Sequence, residues 1–533
     1  MFKKLTATAL ICVVAMSLVF ASGSKDADSA AASAQPKAKT ITLAMVSPWD
    51  SFIPFETTSS YSDCALDLMY DKLFYLKANG TYEPRLATSV DVNEESTELV
   101  FHLREDAKWA DGEPVTADDV VFTARLYTSP TVNAMRKNNL EPFAGFGEGD
   151  DTIAVEALDE HTVKFTLREP TNVDYLIFNK FRDIYILPEH LLGDVPLSDI
   201  RSASYWEAPV GSGPCLFQSQ ISGERIEFVP NPYYYQMNGN WDRLILRVVP
   251  TGNLLAGLMN GEINALAGNV GSLQLSDWDM AQNQSNLVCV SAPSVAYQYM
   301  AINTSRDYLT PAVRRAVNKS INRDLIIQGL LHGQGVAAYG PIPRNNIYYN
   351  PEIEEPYDPE GAKEILAAEG WDPNRTLIMS VPTGNAIREQ AAIIIQQNLA
   401  EVGIKTQIET ADFATHLNRV RAGDYDFGFI GSSGSPDPSE CVINFNPDHM
   451  NNFSQLSDYT IYNTGEAGGH AFTYEDRKVA YDEYQRLIRE YVPFAFTYFE
   501  NILYAYTANV SGIKDVQDYT QLNRDVWNWT VTD

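Results

Sequence analysis

Residues 404–431 read IKTQIETADFATHLNRVRAGDYDFGFIG. IKTQIET has the alternation of a strand, Phe413 to Ala422 follows as a helix, and YDFGFIG over 425–431 is a second, apolar strand. Strand, helix and strand in this order predict a unit with a right-handed crossover. Upstream, Arg388 to Val402 carries Ala391, Ala392, Ile395, Leu399 and Val402 on one helical face and stops at Gly403. Asp358 to Glu369 gives another helix, ended by Gly370, and Thr310-Pro311 starts a third through Val313, Ala316, Val317 and Ile321. Helices and strands alternate, the pattern of an α/β protein.

The N-terminal half reads differently. TELVFHLR (97–104) and HTVKFTLR (161–168) alternate as half-buried strands, and TITLAMV from Thr40 opens the folded body. Between the first two lies WADGEPVTADDVVFTARLY (109–127): a turn at Asp111-Gly112, then a helix with Thr116 and Asp119 spaced as a capping box. Ser62 to Leu73 offers a helix with Leu66, Met69 and Leu73 on one face.

A chain of 533 residues exceeds one hydrophobic core, so two or three packed units are expected. With 29 Tyr, 23 Phe and 8 Trp there is ample material for them. The start, MFKKLTATALICVVAMSLVFASGSKD, is an export leader: Lys3 and Lys4, an apolar run to Phe20, and small residues suited to cleavage after Ala21. That run is shorter than a bilayer span of about 20 residues. Cys12 sits inside the apolar run and no small-residue-then-Cys site follows, so a lipid anchor is not expected. Residues 22–39 are small and polar, a flexible tether.

Losing Lys3 and Lys4 with the leader takes the net charge from −30 to −32. Nucleic acid and anionic membranes are therefore excluded as partners, and solubility is the reading. Cys64, Cys215, Cys289 and Cys441 are far apart, match no metal spacing and allow three pairings; buried free thiols are the preferred reading.

The order of segments resembles the family of extracytoplasmic solute-binding proteins that serve peptide, oligosaccharide and nickel importers. PRLATSV (84–90) and WADGEPVTADDVVF come first, then GSGPCLF (211–217), PNPYYY (230–235) and LMNGEINAL (258–266). AVRRAVNKSINRDLII (312–327), YDPEGAKEILAAEGW (357–371), LAEVGIKTQI (399–408) and GDYDFGFIG (423–431) complete the set. These pieces are mostly scaffold: Trp109 and Trp371 read as core aromatics, and Gly211, Gly213 and Pro214 as a tight backbone approach. The resemblance implies a two-lobed periplasmic-binding-protein fold of type II, in its large three-subdomain form, with a hinge and an interlobe ligand cleft. One lobe would hold 40–292 plus 505–533, with an inserted subdomain near 63–206, and the other 293–504. The hinge would cross near 290–297 and return near 498–506. Such a protein is no enzyme, needs no cofactor, acts as a monomer in the periplasm and hands its ligand to an ABC permease in the cytoplasmic membrane.

Dipeptide-binding members of that family hold the ligand's carboxylate with an Arg and its amine with an Asp, and those positions fall at about Pro382 and Gly434 here. Neither charge is present, which disfavours a short zwitterionic peptide in that pose. The family's pocket Trp falls on Phe413. Aromatic walls and amide side chains suit a sugar, so an oligosaccharide is slightly preferred, with Trp49, Trp206, Trp278, Asn303, Phe413, Asp437 and Asn444 as ligand-contact candidates. Asp437 reads equally as a ligand acceptor or a turn cap. A longer peptide gripped through its backbone is the companion reading, nickel or haem an alternative ligand. An exported glycoside hydrolase, or another secreted hydrolase, is the rival from another class. No GxSxG, HExxH or P-loop motif supports it, and the seven His show no close metal spacing.

Overall fold

Eleven strands form one continuous sheet in the computed structural model, which describes residues 38–514, 516–518, 520 and 524–532. The leader and residues 22–37 of the tether lie outside the described residues. Across the sheet the strands run Lys405–Ala411, Thr376–Pro382, Phe427–Ser432, Leu287–Ile302, Phe494–Thr507, Ala265–Leu266, Thr40–Met45, Arg243–Val248, Arg225–Pro230 and Cys215–Ile221; Gly335–Ala337 pairs with Phe494–Thr507. No helix among the described residues is long and apolar enough to cross a membrane.

Two long strands hold the halves together. Leu287–Ile302 and Phe494–Thr507 are rich in the β-branched and aromatic residues that suit a pleated surface, and they pair antiparallel from Leu287 opposite Thr507 to Ala301 opposite Phe494. The ladder is interrupted in the middle, where Pro293 faces Asn501 and the next pair is Tyr297 with Phe499, and it shifts register again between Gln298, opposite Tyr498, and Tyr299, opposite Phe496. Pro293 has no N–H to give, and the Ser294 hydroxyl donates to the Glu500 carbonyl at 2.6 Å across the gap.

The buried apolar residues separate at this break. One core gathers residues 41–292 with 503–531; two others, on the opposite faces of the remaining strands, draw on residues 297–499. The first body also carries a separate antiparallel sheet, ordered Ala87–Val92, Glu98–Leu103, Thr162–Thr166, Val155–Asp159. Leu99, Phe101 and Leu103 alternate inward as the sequence predicts, each burial contributing about 2 kcal/mol. The helix Ala117–Thr128 packs there, and its capping box is formed: the Thr116 N–H donates to Asp119 Oδ2 at 2.8 Å. The C-terminal segment returns to this body, where Asp67 takes Lys72 at 2.9 Å and Arg524 at 3.0 Å.

The structure adds to one local reading and corrects another. Strands Lys405–Ala411 and Phe427–Ser432 are not neighbours; they flank Thr376–Pro382, and both run parallel to it. The helix read over 62–73 is Ser60–Met69, because the Met69 carbonyl is taken by the Gly213 N–H at 2.8 Å. That close approach explains the glycines of GSGPCLF: a Cβ on Gly211 would stand 1.8 Å from the Met69 carbonyl oxygen. Trp109 is fully buried, and the Trp371 indole donates to the Gly403 carbonyl at 3.2 Å, both as scaffold. Cys215, Cys289 and Cys441 are free thiols; burial pushes the Cys441 thiol up to about 12, which leaves it unreactive at neutral pH.

Candidate functional site

Each body contains parallel strands whose carboxyl ends point to the break in the long pair. In the first, Thr40–Met45 runs parallel to Arg243–Val248 and Ala265–Leu266; beyond their ends, the Leu273 N–H donates to the Leu503 carbonyl at 2.8 Å. In the second, Phe427–Ser432 ends with Ser432 opposite Tyr297. Open α/β sheets bind ligands in the crevice outside the carboxyl ends of their strands. Here two such edges converge on one hinge.

The hinge carries a polar chain that no motif announces. Arg388, in the first turn of the helix Ala386–Glu401, donates from Nε to Gln298 Oε1 at 2.9 Å. Gln298 Nε2 in turn reaches Glu500 Oε1 at 3.5 Å. Burial holds the Arg388 guanidinium below its usual range and raises the Glu500 carboxyl, so both charges are short of solvation. The Tyr498 hydroxyl, buried on the same strand, has no hydrogen-bond partner among the described residues.

A second set of polar groups lies along the seam where the bodies touch. The Asn172 amide donates to the Ala471 carbonyl at 2.6 Å, the Ile347 N–H to the Asn79 carbonyl at 3.0 Å, and Arg182 pairs with Glu440 at 3.1 Å. Asn179 reaches the Ser439 hydroxyl at 3.3 Å, while its Oδ1 is buried without a hydrogen-bond partner among the described residues. Beside these contacts opens a cavity of about 250 Å³ lined by Tyr175, Asn179, Lys180, Ser439, Glu440, Glu466, Gly469 and His470. Burial lowers the Lys180 ammonium below its ordinary range, and its Nζ stands 5.9 Å from the Tyr175 ring. Both signs of charge and neutral amides therefore face this space.

The predicted contacts divide in two. Trp49 and Phe413 sit at the carboxyl edges, one in each body. Trp49 is stacked on Phe52 at 5.8 Å with its indole donating to Gln220 at 3.2 Å, and Phe413, which begins the helix Phe413–Arg421, is 53% exposed. The others lie elsewhere in the two bodies. Trp206 donates to the Ile200 carbonyl at 2.6 Å and meets Phe55 edge-on. Trp278 is buried in the first core. Asn303 is fully buried, its amide spent on the Gly423 and Tyr425 carbonyls and its oxygen on Ser305. Asp437 is buried in an ion pair with Arg477 at 2.8 Å and accepts the Ser439 N–H, the turn-cap alternative. Asn444 is half-buried in the turn Ile443–Phe445. Trp278, Asn303 and Asp437 are thus all buried against other protein groups.

The two positions expected to lack ligand charges are explained by packing. Pro382 is the buried last residue of its strand. Gly434 has φ +64, and a Cβ there would stand 1.8 Å from the Val295 carbonyl oxygen, so a carboxylate side chain has no room. Sequence reasoning missed Gln298, Arg388 and Glu500; Arg388 read only as a helix start. His470 read as one isolated His among seven, because its cavity partners are brought in from 175–180 and 439–440.

Two α/β bodies joined by a pair of crossing strands, with facing carboxyl edges, define a two-lobed binding protein. The family model described as bacterial extracellular solute-binding proteins, family 5 Middle, matches residues 81–452. The chain belongs to that family, as the substrate-binding component of an ABC importer, a transport binding protein and not an enzyme. It is 26% identical over 536 residues to the oligopeptide-binding protein AppA of Bacillus subtilis, covering 95% of each chain. It is 27% identical to heme-binding protein A of Haemophilus influenzae, covering 69% of this chain and 70% of the other. Among solved structures, the ABC transporter substrate-binding protein CtaP of Listeria monocytogenes matches with a TM-score of 0.79 and 23% identity, over 93% of this chain and all of that one. The murein tripeptide-binding protein MppA, in its unliganded open form, also gives 0.79, at 18% identity, over 93% of this chain and 98% of that one.

Proposed function

We propose that this protein captures a peptide between its lobes and delivers it to a permease of the cytoplasmic membrane. The observation that carries the reading is the match to an oligopeptide-binding protein along 95% of both chains. The chemistry of the seam supports it, since cations, carboxylates and amides facing one space suit a peptide's charged and amide groups. The premise of the oligosaccharide preference weakens at the same time: of the four aromatic candidates, Trp206 and Trp278 are engaged within the first lobe, which leaves Trp49 and Phe413 at the edges. For the alternative ligands nickel and haem, no group of three or more His, Cys, Asp or Glu among the described residues is placed to hold a metal ion.

We further propose that the lobes are 40–292 with 505–533 and 293–504, with an inserted subdomain near 63–206, and that the protein is exported to the periplasm as a monomer after cleavage at Ala21. The divided cores support these limits, and the ladder break at Pro293–Tyr297 supports the hinge. Closure would be driven by a ligand that contacts both lobes only when they meet. Thermal-shift screening of residues 22–533 against random tri- to nonapeptides and a panel of oligosaccharides tests the ligand. Stabilisation by peptides is expected; stabilisation by oligosaccharides alone would overturn the reading.

A further inference from the structure

The buried arginines of this chain hold carboxylates or backbone carbonyls, although Arg85 Nε and Arg477 Nη1 have no hydrogen-bond partner among the described residues. Arg477 pairs with Asp437 at 2.8 Å, Arg136 with Asp63 at 2.8 Å and Arg85 with Glu83 at 3.0 Å. Arg314 and Arg323 lack a carboxylate but spend their donors on backbone carbonyls: those of Tyr491 and Leu309 for the first, Ala338 and Phe496 for the second. Arg388 differs. It is half-buried at the hinge, makes no ion pair among the described residues, and uses one donor, Nε, on the neutral amide of Gln298. Glu389 beside it is occupied with the Gly384 N–H at 2.9 Å, and Glu500 is reached only through Gln298.

The site is also shaped for this guanidinium. Gly431 lies in the strand Phe427–Ser432, and a Cβ on it would stand 2.8 Å from Arg388 Nη2 and 2.7 Å from Gln298 Nε2. The bare backbone of Gly431 is what lets the guanidinium lie against the strand end. Arg388 also follows directly on the carboxyl end of Thr376–Pro382, in the crevice where an open α/β sheet takes its ligand. A planar, permanently charged fork with uncommitted donors in such a place is matched by a carboxylate, which it can hold with two parallel hydrogen bonds.

We propose that Arg388 is the anchor for a carboxylate on the bound solute, oriented by Gln298 and seated on Gly431. The proposal deepens the peptide reading and rests on it for the identity of the solute: the carboxylate is a peptide's C-terminus, taken at a different residue from the uncharged Pro382. Because Gln298 belongs to one crossing strand and Glu500 to the other, a carboxylate on Arg388 meets the hinge itself.

The test uses paired probes, a random tripeptide library as free acids and the same library as C-terminal amides, together with oligogalacturonides and their neutral galactose counterparts. Binding is read by thermal shift and by calorimetry on the strongest member of each pair. The wild-type chain is expected to bind free acids at least ten-fold more tightly than amides. Arg388→Gln should bring acid and amide to within three-fold of each other, and Arg388→Lys, which keeps the charge, should retain part of the preference. A merely structural role for Arg388 would weaken acid and amide alike, and that result overturns the anchor. So does wild-type binding that ignores the carboxylate, or binding by neutral probes only. If oligogalacturonides bind in place of peptides, the peptide reading falls, while a ten-fold loss in Arg388→Gln leaves the anchor standing.

Discussion

Asp437 was expected either to meet a ligand or to cap a turn, and Arg477→Met separates these roles most sharply. The pair is closed to solvent, with Arg477 fully buried, Asp437 2% exposed and 2.8 Å between Nη2 and Oδ2. Arg477 also donates from Nε to the Gly468 carbonyl at 3.1 Å and lies 4.9 Å from the Tyr348 ring. Met fills much of the Arg477 volume but leaves the Asp437 carboxylate in a dry site with the Ser439 N–H at 2.8 Å as its remaining donor. An uncompensated buried charge of this kind costs about 3–5 kcal/mol. Asp437→Asn strands the guanidinium instead and should cost a comparable amount. The double variant removes both charges, so it should lose less than the sum of the singles, with a coupling of about 2 kcal/mol or more. Urea unfolding followed by near-ultraviolet circular dichroism, with binding of the best peptide measured on each folded variant, decides the matter. Additive losses, or an Asp437→Asn chain of wild-type stability that binds its peptide ten-fold more weakly, would refute the structural role.

Gly434→Asp, which restores the residue type that dipeptide-binding members use for the ligand amine, should lower stability by about 3 kcal/mol or more, because φ is +64 and the Val295 carbonyl blocks the side chain. A melting temperature equal to wild type, with new dipeptide binding, would contradict this. His416 is fully buried, with Nδ1 2.8 Å from the Ser380 hydroxyl and no well-formed hydrogen bond to Nε2 among the described residues; burial lowers its pKa to about 4. The unfolded chain, titrating near 6.5, takes the proton first, so its contribution is complete above pH 6.5 and lost as pH falls, reaching about 2–3 kcal/mol by pH 4.5. His416→Gln should flatten this part of the pH–stability curve, and an unchanged slope between pH 7 and 4.5 would exclude the mechanism. In the native protein a maleimide should modify half-exposed Cys289 and spare Cys215 and Cys441, as mass spectrometry of the labelled chain can check.

What was legible in the sequence was local. Thr116 and Asp119, and Thr310 and Pro311, act within one turn, and each pair forms the cap its spacing predicts. Leu99, Phe101 and Leu103 declare a strand because alternation is a property of neighbours. The strand neighbours of Thr376–Pro382 could not be read that way: nothing within 404–431 says that a third strand, made some 30 residues earlier, will lie between the two. Ligand candidates suffered from the same limit. Aromatic type placed Trp206 and Trp278 on the candidate roster, yet type does not tell a wall from a core, and these two pack within the first lobe.

Arg388 illustrates the converse. Its neighbours in sequence, Asn385 as N-cap and Glu389 bonded to Gly384, mark a helix start and nothing more. Its significance arises from residues some 43 to 112 positions away: Gln298 and Glu500 on the crossing strands, and Gly431 at the end of a third. The charge that dipeptide-binding members carry is absent at Pro382, and Arg388 stands six residues further on, in the first turn of the next helix. If a carboxylate does bind there, it will attach to the element that must move when the lobes close, so the affinity lost in Arg388→Gln should appear mainly as faster dissociation. Stopped-flow measurement of the free-acid tripeptide should then show an association rate within about three-fold of wild type, and a ten-fold slower association instead would place Arg388 in steering the ligand rather than in holding it.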